Sequence, residues 1–198
     1  MSFYCRIKNE ELICDLKREV NSDILLLGAD GFTYFGRLQA IEDCRMAVLT
    51  PAITSVTSDV EIITPGGCLV TVNFARIDLW SIIAKGSGIV CDPVYSTLSC
   101  DDDTPIIREG QDREYDCLVR SLKRLIGNNV AITTTGGFLF EGVPSEVCRD
   151  LAILTVDEIF IPGCNKFISD RNIRSVVVNL EAITSVSGGD TKCHCCCR

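Results

Sequence analysis

Two stretches of the chain repeat one pattern of apolar and polar positions. Leu122 to Thr155 reads LKRLIGNNVAITTTGGFLFEGVPSEVCRDLAILT, and Leu16 to Thr50 reads LKREVNSDILLLGADGFTYFGRLQAIEDCRMAVLT. In each, the end of an amphipathic helix precedes three apolar or alternating runs, and a glycine turn closes the hairpin between the first two. Leu16-Lys17-Arg18 returns as Leu122-Lys123-Arg124, Gly31-Phe32 as Gly137-Phe138 and Gly36 as Gly142, all at a spacing of 106 residues. Cys44-Arg45 and Cys148-Arg149 follow, one or two residues out of phase. Self-similarity at a fixed spacing means tandem modules.

Leu12, Ile13, Leu16 and Val20 form one helical stripe, which predicts a helix over residues 11–20. Strands are expected at 24–27, 32–38, 46–49, 60–64 and 69–77, with Pro65-Gly66-Gly67 as the last turn. Gly36 suits a sharp bend within its strand. The second copy predicts a helix over 113–126 and strands at 130–134, 138–143, 151–155, 158–161 and 176–180. Val176 to Leu180 is matched to Val70 to Phe74, and Ile183 to Ile77, at the same spacing of 106. The expected organisation is a first module over residues 1–84, a linker over 85–112, a second module over 113–187 and a tail over 188–198. The linker assignment rests on GSG, Pro93, Pro105 and Asp101-Asp102-Asp103. Trp80 to Ala84 is read as a buried extension of the first module.

A helix followed by five short strands bent at glycines is the order of a small open barrel. The fold class expected is therefore mainly β, two tandem five-stranded open barrels, each with an N-terminal helix. With 46% hydrophobic residues over 198 positions, the chain can build packed cores, and no apolar run is long enough to span a bilayer. MSFYCRIKNEELICDL carries charges where a signal peptide needs an apolar segment, so synthesis in a cytoplasm without export by that route is expected. A net charge of −8 argues against broad binding to nucleic acid, which needs clustered Lys and Arg.

This helix-plus-strand unit, with its GG-F-x-F-x-G hairpin, resembles the Sm-like fold of the Sm and Hfq proteins. The resemblance implies ring assembly, in which strand four of one unit pairs with strand five of the next. The edges it assigns are residues 158–161 against 176–180 and 60–64 against 70–74. It also implies RNA binding through an Asp-x-Met-Asn loop and an Arg-Gly loop. Here the first loop reads Glu42-Asp43-Cys44-Arg45-Met46-Ala47, its counterpart Val147-Cys148-Arg149-Asp150-Leu151-Ala152, and Arg-Gly is replaced by Pro-Gly-Gly-Cys and Pro-Gly-Cys. RNA binding is thus the alternative function and not the expected one.

Thirteen cysteines, an odd number, leave at least one thiol without an intrachain partner. Such density usually marks an oxidising compartment, which conflicts with the missing export signal. Catalysis is not expected: the single histidine, His194, lies in the tail, and Walker, dinucleotide and HExxH motifs are absent. No cofactor is implied. The tail carries Cys193-His194-Cys195-Cys196-Cys197. Adjacent cysteines cannot easily bridge one another, and structural zinc uses separated ligand pairs. Intermolecular cross-linking through Cys193, Cys195, Cys196 and Cys197, helped by Cys5, Cys91 and Cys100, is the expected use. Binding of a soft metal by the same five tail residues is the alternative. The terminal CHCCC and the phrase CLVTVNF also resemble cysteine-rich structural proteins of bacterial spore coats and exosporia. That resemblance implies a self-assembling protein made in the cytoplasm, deposited on a spore surface and oxidised there, with itself and other cysteine-rich proteins as partners.

Overall fold

The computed structural model describes residues 9–89, 115–148 and 150–188, with the side chains of the second helix from Leu118 onward. The first half opens with α1 (Glu10–Leu16) and a 3-10 turn (Lys17–Glu19), the second with α2 (Tyr115–Arg124). α1 ends before residue 20 because Val20 is already extended and Asn21 has a φ of 69°, a left-handed conformation that Asn tolerates better than most residues. The first half continues as β1 (Asp23–Gly28), β2 (Thr33–Glu42), β3 (Met46–Thr50), β4 (Val60–Ile63), β5 (Leu69–Val72), β6 (Ala75–Asp78) and β7 (Ile82–Ile89). The second half gives β8 (Val130–Thr134), β9 (Leu139–Cys148), β10 (Leu151–Phe160), β11 (Phe167–Ser169), β12 (Ile173–Asn179) and β13 (Ile183–Gly188).

All these strands belong to one antiparallel sheet, whose main path runs β13-β8-β9-β10-β12-β7-β1-β2-β3-β6. Within each half the spatial order is fifth, first, second, third and fourth strand position. The local geometry repeats too. Gly28 N donates to Phe32 O at 2.8 Å and Thr134 N to Phe138 O at 3.1 Å, around turns in which Gly31 and Gly137 have φ of 82° and 83°. Ala29 N then reaches Ser81 O at 2.7 Å, as Thr135 N reaches Ala182 O at 2.8 Å. Asp78 and Asn179 each accept from the backbone N–H two residues on and so start matching 3-10 turns.

Ladder irregularities follow the predicted glycines. Just after Gly36 and Gly142, the β2–β3 and β9–β10 ladders each slip by one residue, between Leu38 and Ala40 and opposite the Ile153/Leu154 step. A Cβ on Gly36 would sit 2.8 Å from Thr50 O, and one on Gly142 would be driven into Thr155 O.

Five expectations need correction. The runs 151–155 and 158–161 are one strand, β10; only the first half splits that position, into β3 and β4 around residues 51–59. Residues 69–77 are two strands, because the chain bends at Asn73-Phe74 before β6 turns to pair with β3. Residues 176–180 are not the last strand, since β12 is followed by β13. The two halves match at their C-terminal ends with Asp78 on Asn179 and Ile82 on Ile183, a spacing of 101 and not 106. Lys85, placed at the start of a linker, lies inside β7, which runs on to Ile89.

The inserted residues 51–59 are tied down by two carboxylates. Asp23 accepts from Ile53 N, Thr54 N and Thr54 Oγ1 at 2.9–3.1 Å, and the buried Glu61 accepts from Ser55 and Thr57 hydroxyls at 2.5 and 2.6 Å. Two cores form on the two faces of the sheet. Leu12, Ile13 and Leu16 of α1 pack with Ile24, Leu26, Leu38 and Leu49 on one face. On the other, Leu25, Leu27 and Phe35 join the core of the second half around Ile132, Phe140, Ile159 and Ile168. β1 is consequently buried on both sides, which explains its unbroken apolar run.

Gly142→Ala is expected to cost roughly 1–3 kcal/mol, the range for forcing atoms into a packed site, and Gly36→Ala less, its obstruction being milder. Urea midpoints of the two variants against the parent measure the order; equal midpoints would contradict it.

Candidate assembly interface

The two halves meet along one strand pair. β7 takes β12 on its free side, with Ala84 opposite Val178, Lys85 opposite Val177, Gly86 opposite Val176 and Ile89 opposite Ile173. β7 already pairs β1, so it is hydrogen-bonded along both edges. The joint is thus the fourth strand position of one half against the fifth of the other, a pairing of the kind expected. The strands that make it are not those assigned from the sequence: β10 and β12 pair within the second half, and β4 and β5 within the first.

Lys85 sits in the middle of this joint with 1% of its surface exposed. A buried ammonium is costly unless paired, and α1 with its 3-10 turn supplies the partners. Lys85 Nζ lies 2.7 Å from Asp15 Oδ2 and 2.5 Å from Glu19 Oε1, and Ser87 Oγ donates to the same Glu19 oxygen at 2.9 Å. The equivalent of Lys85 in the second half is Val186, which, like Leu125, packs against the main core; the Leu125 side chain lies close to Gly188. Ionic contacts inside the joint are therefore replaced by apolar ones at the outer edge, β13.

A second clasp is neutral. Fully buried Asn9 donates from Nδ2 to Leu79 O and Ile82 O at 2.5 and 2.7 Å, and its Oδ1 accepts from Asn179 Nδ2 at 2.6 Å. The turns of the two halves also touch. Gly66 N donates to Pro162 O and Lys166 Nζ to Gly67 O, both at 2.9 Å. The two Pro-Gly turns singled out in the sequence thus face each other across the joint.

The paired Cys-Arg loops are similar in place and different in detail. Asp43 and Cys44 form a two-residue turn with φ of 51° and 52°, whereas Cys148 ends β9 opposite Leu151. Lys17 Nζ donates to Cys44 Sγ at 3.4 Å. Arg45 is held by Asp78 through two contacts at 3.1 and 2.6 Å, and this hydrogen bonding keeps the Asp78 carboxyl below the usual carboxylate range. Leu79 N donates to Arg45 O and Leu180 N to Asp150 O, which sets an arginine in one loop against an aspartate in the other.

Among the described residues Cys14, Cys44, Cys68 and Cys148 are exposed, Cys164 is half-buried, and all five are free thiols. The remaining candidates, Cys5, Cys91, Cys100, Cys193, His194, Cys195, Cys196, Cys197 and Arg149, lie outside the described residues. No group of three or more His, Cys, Asp or Glu side chains among the described residues is placed to hold a metal. A shallow groove of about 540 Å³ between Arg37, Ile53 and Ile89 also contains Glu19 and Asp23, whose carboxylates are already engaged with Lys85 and the 51–59 loop.

What sequence reasoning missed most is the outer face of the second half. Where the first half has buried Leu25, Leu27 and Phe35, the second has Ala131, Thr133 and Glu141, each half-buried. Thr133 Oγ1 shares hydrogen bonds with Thr184 and Ser185 at 2.9 and 2.5 Å. Glu141 stands opposite Glu158. Burial, then the charge of Asp157, raises the Glu141 carboxyl; burial, then Glu141, Asp157 and Asp170, raises Glu158.

Comparison with known proteins gives no matching family model and no matching curated protein.

Removing Lys85 leaves two carboxylates facing an apolar slot. Lys85→Ala is expected to cost about 3 kcal/mol, the lower end for breaking a buried ion pair because Asp15 and Glu19 keep some water; an unchanged urea midpoint would contradict it. The raised Glu141 and Glu158 carboxyls make the folded chain bind protons more tightly than the unfolded one, so their contribution to stability worsens as pH rises through the raised values. Glu158→Gln is therefore expected to melt above the parent, by a wider margin at about pH 7 than at about pH 4. A margin that shrinks towards neutrality would reverse the assignment.

Proposed function

We propose that the chain is a self-assembling structural protein, whose copies associate through exposed sheet edges and are then locked by intermolecular disulfides. One observation carries this reading: the chain already joins two equivalent units edge to edge, through β7 and β12, and continues the apolar core across the joint. A helix followed by strands bent at glycines, and a fourth strand set against a fifth, agree with reading the halves as two tandem Sm-like barrels. Four exposed free thiols on the described surface, together with Cys193, Cys195, Cys196 and Cys197 in the tail, suit cross-linking of neighbours. Within this proposal the protein is made in the cytoplasm and deposited in a spore surface layer or appendage, where oxidation follows.

Each disulfide makes dissociation of the assembly a chemical step and not only a thermodynamic one. Purified under air without reductant, the protein is expected to run as a high-mass ladder on denaturing gels, collapsing to one band when reduced. A single monomer band in both lanes would overturn the proposal. Negative-stain microscopy of the same sample is expected to show extended or closed particles.

A further inference from the structure

The first half carries an apolar arm that its counterpart in the second half does not expose. In the second half Phe140, Ile159 and Ile168, aligned across β9, β10 and β11, are fully buried. They share a core with Leu25, Leu27 and Phe35, the outer face of the first half. The matching row in the first half is Tyr34, Ile62 and Val70, aligned across β2, β4 and β5. There Tyr34 and Ile62 are half-buried and Val70 is 46% exposed, with Leu69 at 37% and Phe74 at 62% beside it. Among the described residues β5 pairs only with β4, and no described strand lies along its other edge. An exposed apolar edge strand is a template for strand addition.

Repetition of the internal joint would place this arm on the outer face of the second half of a neighbouring copy. That face carries Ala131, Thr133, Glu141 and Thr184 where the internal joint has Leu25, Leu27, Phe35 and Ile83. Burying Val70 and Ile62 there would desolvate Glu141, next to Glu158, without a cation to pair it. The free edge strand β6 adds Arg76, paired with Glu42 at 3.4 Å, at the place where β12 carries the buried Val177. Head-to-tail growth through β6 and β13 is disfavoured at both ends.

We infer that the arm of one copy docks on the arm of a second copy, β5 against β5 about a two-fold axis, burying Leu69, Val70 and Phe74 of both. An antiparallel pair of identical edges is self-complementary, as an isologous interface requires, and its apolar side chains need no opposite charge from the partner. The inference rests on the self-assembly reading and specifies its first, non-covalent step. In it the two-fold pair is the unit that disulfides later connect.

Sedimentation equilibrium of the full chain in reductant, at high micromolar concentration, tests this. The expected result is a dimer, with Val70→Lys weakening it by about tenfold or more and Ser187→Lys, at an exposed position of the β13 edge, leaving it unchanged. Val70 is exposed enough for lysine to fold, which circular dichroism checks, and Phe74→Ser gives a second variant at an exposed position. A reduced chain that stays monomeric, or a dimer broken by Ser187→Lys and not by Val70→Lys, would overturn the inference. Either result leaves the self-assembly reading to its own measurement, the ladder formed without reductant.

Discussion

The structure depends on a lysine held inside a sheet. β7 is hydrogen-bonded on both edges, so a side chain at its centre has nowhere to go but between packed layers, and at that point the chain has Lys85. Only Asp15 and Glu19 make this tolerable, at 2.7 and 2.5 Å. Their positions fix where α1 and its 3-10 turn lie on the sheet. The same lysine stands opposite Val177 of the other half. One ion cluster thereby ties together the helix, the fifth strand of the first half and the fourth strand of the second. Ion pairs of this sort add little net stability over apolar contacts. What they add is a penalty for every arrangement in which Lys85 faces Val177 without α1 in place.

That cluster also marks where the sequence stops being legible. The mainly β character, the hairpin glycines and the ladder irregularities after Gly36 and Gly142 were readable, because a turn with positive φ or a close backbone approach demands a particular residue locally. β7 was not. Its first residues, Ile82 to Ala84, read as a buried extension, but from Lys85 on the sequence KGSGI has lysine, serine and two glycines where a buried strand would have apolar residues, and reads as the start of a linker. The partners that bury Lys85 lie more than sixty residues earlier in the chain. A Cβ on Gly86 would lie 3.1 Å from both Leu25 and Ile173, a crowding to which the two halves contribute together. Tertiary context decided both positions.

The misplaced C-terminal match has a similar origin. Val70-Thr71-Val72-Asn73 and Val176-Val177-Val178-Asn179 look alike because each is a β-branched run followed by asparagine, although Asn73 lies in the bend after β5 and Asn179 ends β12. The structurally equivalent asparagine partner is Asp78, which does the same work at the start of a 3-10 turn. The spacing drifts from 106 to 101 because residues 51–59 lengthen the first half while Asp170-Arg171-Asn172 lengthens the second. Side-chain roles kept the register where letter identity lost it. The candidate interface was legible in kind, as a fourth strand on a fifth, but its strands could be named only once the ladder was seen.

Two equivalent units joined through non-equivalent edges pose a problem of termination. If both halves had kept the same outer face, each copy would offer the next the same apolar platform, and addition would proceed without limit. The halves have instead diverged where the internal joint does not constrain them. Leu25, Leu27 and Phe35 share a core with the second half, whereas Ala131, Thr133 and Glu141 stay half-buried. This is the logic of a capping repeat, whose outer face must live in water. Under the proposed function this would separate two tasks: the sheet would set a finite, geometrically defined unit, and disulfides would connect such units once the surroundings became oxidising.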